Sequence, residues 1–284
     1  MTMREAYVMA KKQLKEAGKS SFDAGCLLEK HFQAKREDLP FRGGEELSVT
    51  HYTGFMQDVA RRIAGEPLQY LLGKWEFMGL PFFVGSGVLI PRPETEMLAE
   101  TAIAFLTEQK GPTKVLDLCA GSGCLAISVA HFSHCPTVGL ELSAQAFRYF
   151  QQNIVLNGLK KQVRPLQGSL FAAPSSLLGP DFVGSFTVLL SNPPYIRTEE
   201  LPTLQKEVQK EPVLALDGGT DGLRFYRALC TWLPALQKGG LFACEIGQGQ
   251  GEEVAKMVKA AGLQEVQIHL DFAGIDRMVT GRRK

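Results

Sequence analysis

From Arg4 to Leu72 apolar residues recur at helical spacing, most clearly at Tyr52, Phe55, Met56, Val59 and Ile63. Their spacing of i, i+3, i+4, i+7 and i+11 puts all five on one face of a helix. Gly65 and Pro67 end that helix, because glycine is entropically costly in a helix and proline lacks a backbone donor. Turn residues also gather at 18–21 and 40–44, so the stretch divides into about four short helices.

Between Lys74 and Ile90 the pattern changes to aromatic and β-branched residues separated by glycine (Trp75, Phe77, Phe82, Phe83, Val84, Val88), which predicts a β-hairpin connector. Pro93 then stands where a first helical turn tolerates proline. Glu94 and Glu96 lie near the positive end of a helix expected to run to about Thr107.

After Pro112 short apolar runs alternate with helical stretches. Strands are expected at Lys114–Leu118, Thr137–Leu140, Val163–Leu166, Phe186–Leu190 and Leu241–Ile246, and helices at Leu125–His131, Ala144–Asn157, Leu223–Leu236 and Glu252–Ala261. Glu265–Leu270 and Arg277–Thr280 are candidates for two further strands. Such alternation predicts an α/β fold, an open and mostly parallel sheet with helices on both faces. The expected organisation is therefore an all-helical domain at 1–73, a hairpin linker at 74–90 and a sheet domain at 91–284.

Composition removes several alternatives. With 284 residues, 45% hydrophobic and 21% charged, the chain is neither disordered nor collagen-like nor a disulfide-stapled miniprotein. Lys and Arg number 31 against 30 Asp and Glu, a formal charge of +1. A binder of long nucleic acid usually carries a basic surplus against the phosphates, so direct DNA binding is not expected. No apolar run reaches the roughly 18 residues a membrane span needs. The stretch from Met1 to Gly18 reads as a charged helix rather than a signal, and the expected compartment is the cytoplasm. The six cysteines are scattered without a C-x-x-C pair; His131, His134 and Cys135 fall at a helix end with no partner pair. No metal site is indicated.

Two segments carry candidate chemistry. The strand ending at Leu118 runs into Cys119-Ala120-Gly121-Ser122-Gly123 and then a helix, so small residues let the backbone turn sharply and offer N–H groups to a ligand. Gly121, Gly123 and Ala126 satisfy G-x-G-x-x-A, and Glu141 ends the next strand, where a ribose-binding carboxylate belongs. A dinucleotide and S-adenosylmethionine both present a ribose to such a carboxylate, so the loop leaves hydride transfer and methyl transfer open. The second segment is Asn192-Pro193-Pro194-Tyr195, directly after the strand at Phe186–Leu190. Consecutive prolines fix φ and remove two donors, leaving carbonyls free to face a cleft. Asn192 adds a side-chain carbonyl and Tyr195 a flat aromatic face. That set suits a planar –NH₂ group conjugated to a carbonyl or ring, whose two N–H bonds can be held so that its nitrogen meets an electrophile. Positioning then does most of the catalysis and no strong base is required.

The chain resembles the release-factor glutamine N5-methyltransferases (HemK/PrmC type) over nearly its whole length. The resemblance rests on Gly65-Glu66-Pro67-Leu68-Gln69-Tyr70, Leu89-Ile90-Pro91-Arg92-Pro93-Glu94-Thr95-Glu96, Asp117 to Gly123 and Asn192 to Tyr195. It extends to Glu211-Pro212, Asp217 to Leu223 and Glu245-Ile246-Gly247 with Gln250. It implies a Rossmann-like class I methyltransferase sheet, with S-adenosylmethionine as cofactor and S-adenosylhomocysteine as product. The implied acceptor is the glutamine amide in the Gly-Gly-Gln motif of peptide-chain release factors, which the N-terminal domain helps to hold. By the same resemblance Asn192 and the Pro193 carbonyl hold the amide, and Pro194 and Tyr195 shape the pocket. Asn192, Pro193 and Tyr195 form the catalytic set; Cys119, Ala120, Gly121, Ser122, Gly123, Glu141 and Asn192 hold the cofactor, with Ser169 and Leu170 beside its adenine. Asn-Pro-Pro-Tyr is shared with adenine-N6 DNA methyltransferases, which keeps nucleic-acid methylation as an alternative, alongside a ribosomal-protein glutamine. Two positions depart from the family pattern, glycine being common at Cys119 and an acidic residue at Ser169. Cysteine is small and is tolerable there if its φ is negative.

Overall fold

The computed structural model describes Met1–Lys284. The chain forms two compact units, Met1–Lys74 with Gln205–Lys210, and Trp75–Leu204 with Glu211–Lys284.

The first unit is helical. It has three long helices, α1 (Met3–Glu16), α2 (Phe22–Phe32) and α4 (Val49–Ile63), and two short ones, α3 (Leu39–Arg42) and α5 (Leu68–Leu72). A capping box starts α1: the Glu5 N–H donates to Thr2 Oγ1 at 3.3 Å and the Thr2 N–H donates to Glu5 Oε2 at 2.8 Å. The apolar face of α4 buries Phe55 and Val59 against Leu14, Leu27 and Leu28, with Tyr52, Met56 and Ile63 at its margin. The 205–210 segment joins this unit through charge. Arg62 donates from Nε to Asp23 Oδ2 and from Nη1 to Glu207 Oε1, both at 2.7 Å, and Lys19 pairs with Glu207 as well. Burial pushes the Glu207 carboxyl up, but the hydrogen bonds from Lys19 and Arg62 overcome it and hold the group at about 2.

A hairpin begins at the boundary of the two units, β1 (Lys74–Phe77) and β2 (Leu80–Phe83), whose two turn residues Met78 and Gly79 both have positive φ, 52° and 73°. A 3₁₀ turn at Pro93–Thr95 leads into α6 (Glu96–Thr107). Then follow β3 (Val115–Leu118), α7 (Cys124–Ser133), β4 (Thr137–Glu141), α8 (Ala144–Leu156), β5 (Val163–Gln167), α9 (Pro174–Leu178) and β6 (Phe186–Ser191). The remainder is β7 (Ile196–Arg197), β8 (Asp217–Gly219), α10 (Arg224–Cys230), β9 (Leu236–Glu245), α11 (Gly251–Ala260), β10 (Leu263–Leu270) and β11 (Asp276–Arg283).

Seven strands form one sheet in the order β10-β11-β9-β6-β3-β4-β5, parallel from β9 to β5, with β11 antiparallel to both its neighbours. Alternation along the strands fills two cores. Val115, Val188 and Leu190 face α6, α7, α8 and the hairpin aromatics Phe77 and Phe82. Leu116, Leu118 and Leu189 face α10, α11 and the fully buried Trp232. The helix expected over Leu223–Leu236 stops at Cys230 and the chain re-enters the sheet at Leu236. Pro234 explains this, since its ring would clash with the carbonyl four residues earlier and it has no N–H to continue the ladder. The two tail strands form, each longer than the apolar pattern suggested. No helix is long and apolar enough to cross a membrane.

Removing the guanidinium by Arg62→Met leaves the Asp23 and Glu207 carboxylates without it, and the first unit loses about 3–5 kcal/mol, read as a lower denaturant midpoint. Because Glu207 is held below its ordinary range in the folded state, its contribution is complete above pH about 4.5 and disappears as pH falls toward about 2. The gap between wild type and Arg62→Met therefore narrows in acid.

Candidate active site

The chain builds β3, β4 and β5 outward in one direction and then returns to place β6 and β9 on the other side of β3. At that reversal the loops after β3 and β6 part, leaving a crevice at the carboxyl ends of the strands, the usual ligand position in such sheets. The small-residue loop follows β3 and the Asn-Pro-Pro-Tyr segment follows β6, so the reversal brings the two motifs side by side. Leu118 and Ser191 are register partners, and the Ser191 hydroxyl donates to the Leu118 carbonyl at 2.6 Å.

Two carboxylates hold the first loop. Asp117 Oδ2 accepts from the Ala126 N–H at 3.1 Å, capping the start of α7, whose N-cap residue Gly123 has no side chain to do so. Glu141 accepts from the Gly121 N–H at 2.8 Å and from the Ser143 N–H at 2.6 Å. Buried Asn153 adds a third restraint, donating to the Ser122 carbonyl at 2.9 Å and to the Phe83 carbonyl at 3.1 Å. The two glycines do different work. A Cβ on Gly123 would collide with the Phe150 ring, whereas one on Gly121 would meet nothing within 4 Å, on the open side of the turn.

Burial dominates the electrostatics. Asp117 is fully buried, its Oδ1 has no hydrogen-bond partner, and burial with the Glu141 charge pushes its carboxyl up to about 8. Burial also pushes Glu141 up, against its backbone N–H partners. The thiols of Cys119 and Cys124 are pushed up by burial, the latter to about 12, so neither is a thiolate nucleophile at neutral pH. A pyrophosphate brought here would meet Glu141 and a Gly121 N–H already used by it, whereas Asp117 is fully buried and largely protonated at neutral pH.

Of the residues singled out from sequence, Cys119, Gly121, Glu141, Ser169, Leu170, Asn192 and Pro194 line one cleft of about 700 Å³, counted with its open mouth. Ala120, Ser122, Gly123, Pro193 and Tyr195 stand behind that lining. Ser169 accepts the Phe171 N–H at 3.1 Å in a local turn. The far wall is apolar and was not anticipated. It comprises Phe171 and Phe225, with ring centroids 5.2 Å apart, and Leu214 and Ala215. Arg92 pairs with the buried Glu211, which also accepts the Ile90 N–H at 3.0 Å, fixing the chain beside Pro212 at the cleft. Behind the second motif, Asn192 Nδ2 donates to Thr95 Oγ1 at 3.0 Å. The Thr95 hydroxyl donates to Glu245 Oε2 at 2.6 Å, and the Tyr195 hydroxyl donates to Glu245 Oε1 at 3.3 Å.

Comparison with known proteins agrees with this architecture. Residues 5–73 match the PrmC N-terminal domain model, and residues 98–174 match the TRM5/TYW2 methyltransferase domain model. A release factor glutamine methyltransferase of Moorella thermoacetica is 39% identical over 100% of this chain and 99% of its own length. The chain belongs to the release factor glutamine methyltransferase family. A family member from Geobacter sulfurreducens is 43% identical over 79% of this chain and 76% of its own. Among solved structures, the hMettl16 catalytic domain in complex with a MAT2A 3′UTR hairpin superposes with a TM-score of 0.57 at 12% identity, covering 84% of this chain and 83% of that one. That likeness is one of fold, and the seven-stranded sheet is a class I methyltransferase sheet.

Within this family fold the condition for tolerating Cys119 is not met. Cys119 does not adopt a negative φ; its φ is 68°, in the left-handed region where a Cβ meets the following carbonyl. Glycine at this position removes the clash. Cys119→Gly is expected to raise the denaturant midpoint by an amount worth about 0.5–1 kcal/mol, the strain relieved less the entropy of a more flexible unfolded chain. A lower midpoint would show that the thiol's packing outweighs the strain.

Proposed function

We propose that this enzyme transfers a methyl group from S-adenosylmethionine to the side-chain amide nitrogen (N5) of the glutamine in the Gly-Gly-Gln motif of peptide-chain release factors, in the cytosol. Family membership supports the acceptor class, and the six unpaired cysteines fit a reducing compartment. The N-terminal unit, which matches the PrmC N-terminal domain model, is assigned to holding the factor.

The observation that carries the chemistry is the Asn192 amide, which spends its Nδ2 on Thr95 and so keeps Oδ1 as an acceptor. Bound S-adenosylmethionine supplies a sulfonium methyl and a net positive charge beside the loop. Glu141, which lines the cleft, fits that charge, while Asp117 lies buried beneath the loop and caps α7. Glu141, the Gly121 turn and Ser169-Leu170 hold the ribose and adenine end, while Phe171, Phe225 and Leu214 exclude water from it. Asn192 Oδ1 and the Pro193 carbonyl accept the two N–H bonds of the glutamine amide, turning the face of the nitrogen toward the cofactor. An amide nitrogen is a poor nucleophile because its lone pair is delocalised, so orientation and acceptors for the positive charge that develops on it are what the chain must provide. The methylated nitrogen is strongly acidic and sheds its proton to water without a positioned base.

Incubation with methyl-labelled S-adenosylmethionine and a release factor should place label on the Gly-Gly-Gln glutamine, located by peptide mass. Asn192→Ala should lower kcat by about 10²–10³, the usual loss on deleting one oriented polar group that acts on developing charge, while the cofactor still binds. Label appearing in DNA, or in a ribosomal-protein glutamine and not the factor, overturns the proposal.

A further inference from the structure

We propose that Thr95 and Glu245 are positioning residues that decide which end of the Asn192 amide meets the acceptor. The inference rests on the reading of Asn192 given above. An ionised carboxylate only accepts hydrogen bonds, so the single hydrogen of the Thr95 hydroxyl is committed to Glu245 Oε2 at 2.6 Å. Thr95 Oγ1 then has only lone pairs to offer, and Asn192, 3.0 Å away, must turn its NH₂ toward it. Oδ1 is thereby left for the incoming amide. The Tyr195 hydroxyl donates to the other oxygen of the same carboxylate, so both polar side chains of the motif depend on Glu245. Thr95 is 1% and Glu245 4% exposed, which leaves water no access to substitute for either. Thr95 lies in the 3₁₀ turn after Arg92, and the Arg92–Glu211 pair with the Ile90 N–H bond anchors that turn. These contacts give the Pro91–Glu96 sequence a chemical purpose that helix initiation alone does not supply.

The arrangement reverses when Glu245 is protonated. A neutral carboxyl can donate to Thr95, whose own hydrogen is then free to turn to Asn192 and draw Oδ1 toward it. The amide presents NH₂ to the acceptor's N–H, two donors face each other, and the acceptor is no longer held. Burial raises Glu245 to about 6, Glu94 pushes the same way, the hydrogen bonds from Thr95 and Tyr195 oppose it, and Arg277 of β11 also pulls it down. The other titratable groups around it are Tyr195, the Tyr226 hydroxyl on its backbone carbonyl, and the Cys124 and Cys244 thiols. Glu245 is ionised above its own pKa, so the competent amide orientation is lost as pH falls through about 6.

The test uses the full chain, saturating S-adenosylmethionine and a release factor, with kcat followed between pH about 5 and about 8. Wild type should lose kcat on the acid side with a midpoint near 6. Thr95→Val should lower kcat by about 30-fold and abolish that acid limb, with the factor's KM changed by less than about threefold. Thr95→Ser should restore both kcat and the limb. Glu245→Gln, which cannot titrate and offers only one acceptor oxygen to the Thr95 and Tyr195 hydroxyls, should remove the limb, and it carries the test if Thr95→Val does not fold. An unchanged kcat in Thr95→Val, or an acid limb near 6 that survives in Glu245→Gln, overturns the proposal. If the methylated atom proves to be something other than a glutamine amide, the proposed function fails, while the Thr95 and Glu245 variants still report separately on positioning for that acceptor.

Discussion

Three buried carboxylates stand at the carboxyl ends of β3, β4 and β9, Glu141 and Glu245 as the last residue and Asp117 as the last but one. Taking a charge out of water costs free energy unless it is paired or hydrogen-bonded, and none of the three has a Lys or Arg in direct contact. Their partners are neutral donors instead. Asp117 caps α7, Glu141 ties down Gly121 and Ser143, and Glu245 collects Thr95 and Tyr195. The cleft therefore takes its shape from acids seeking donors. Its electrostatic character follows from the absence of an ion-paired Lys or Arg, Arg277 acting on Glu245 only through its longer-range charge.

The same constraint accounts for why distant parts of the chain converge here. A buried acid needs donors of defined direction, and backbone N–H groups at turns supply them with little loss of side-chain entropy. Gly121, Ser143 and Ala126 meet that need from two successive strand-to-helix connections. Asn153 joins the hairpin to the same loop, so β1 and β2 support the cleft wall as well as filling the core with Phe77 and Phe82.

Much of this was legible in sequence. Apolar runs of strand length, helical spacing and turn residues located the parallel strands and most helices, because those patterns follow local burial. Proline at 234 was visible too, yet helical periodicity through Trp232 and Leu233 masked the early end of α10; those residues are buried by a 3₁₀ turn, which periodicity does not distinguish over so short a span. The left-handed backbone at Cys119 was concealed by the residue itself, since cysteine in place of glycine removes the usual signature of positive φ. The association of 205–210 with the helical unit had no sequence signal, because it arises from ion pairs between residues 145 and 188 positions apart. Thr95 and Glu245, 150 residues apart, are similarly silent. Each is an ordinary residue of its element until the sheet places them together.

An excess of buried acid should make the empty cleft less stable than the surrounding core, since Asp117 ionises only against its burial and keeps one oxygen unpaired. Evolution could relieve that cost with an asparagine, which would still cap α7. Retaining the acid makes sense if the cost is offset when a cation arrives, because the electrostatic gain is largest where water is absent.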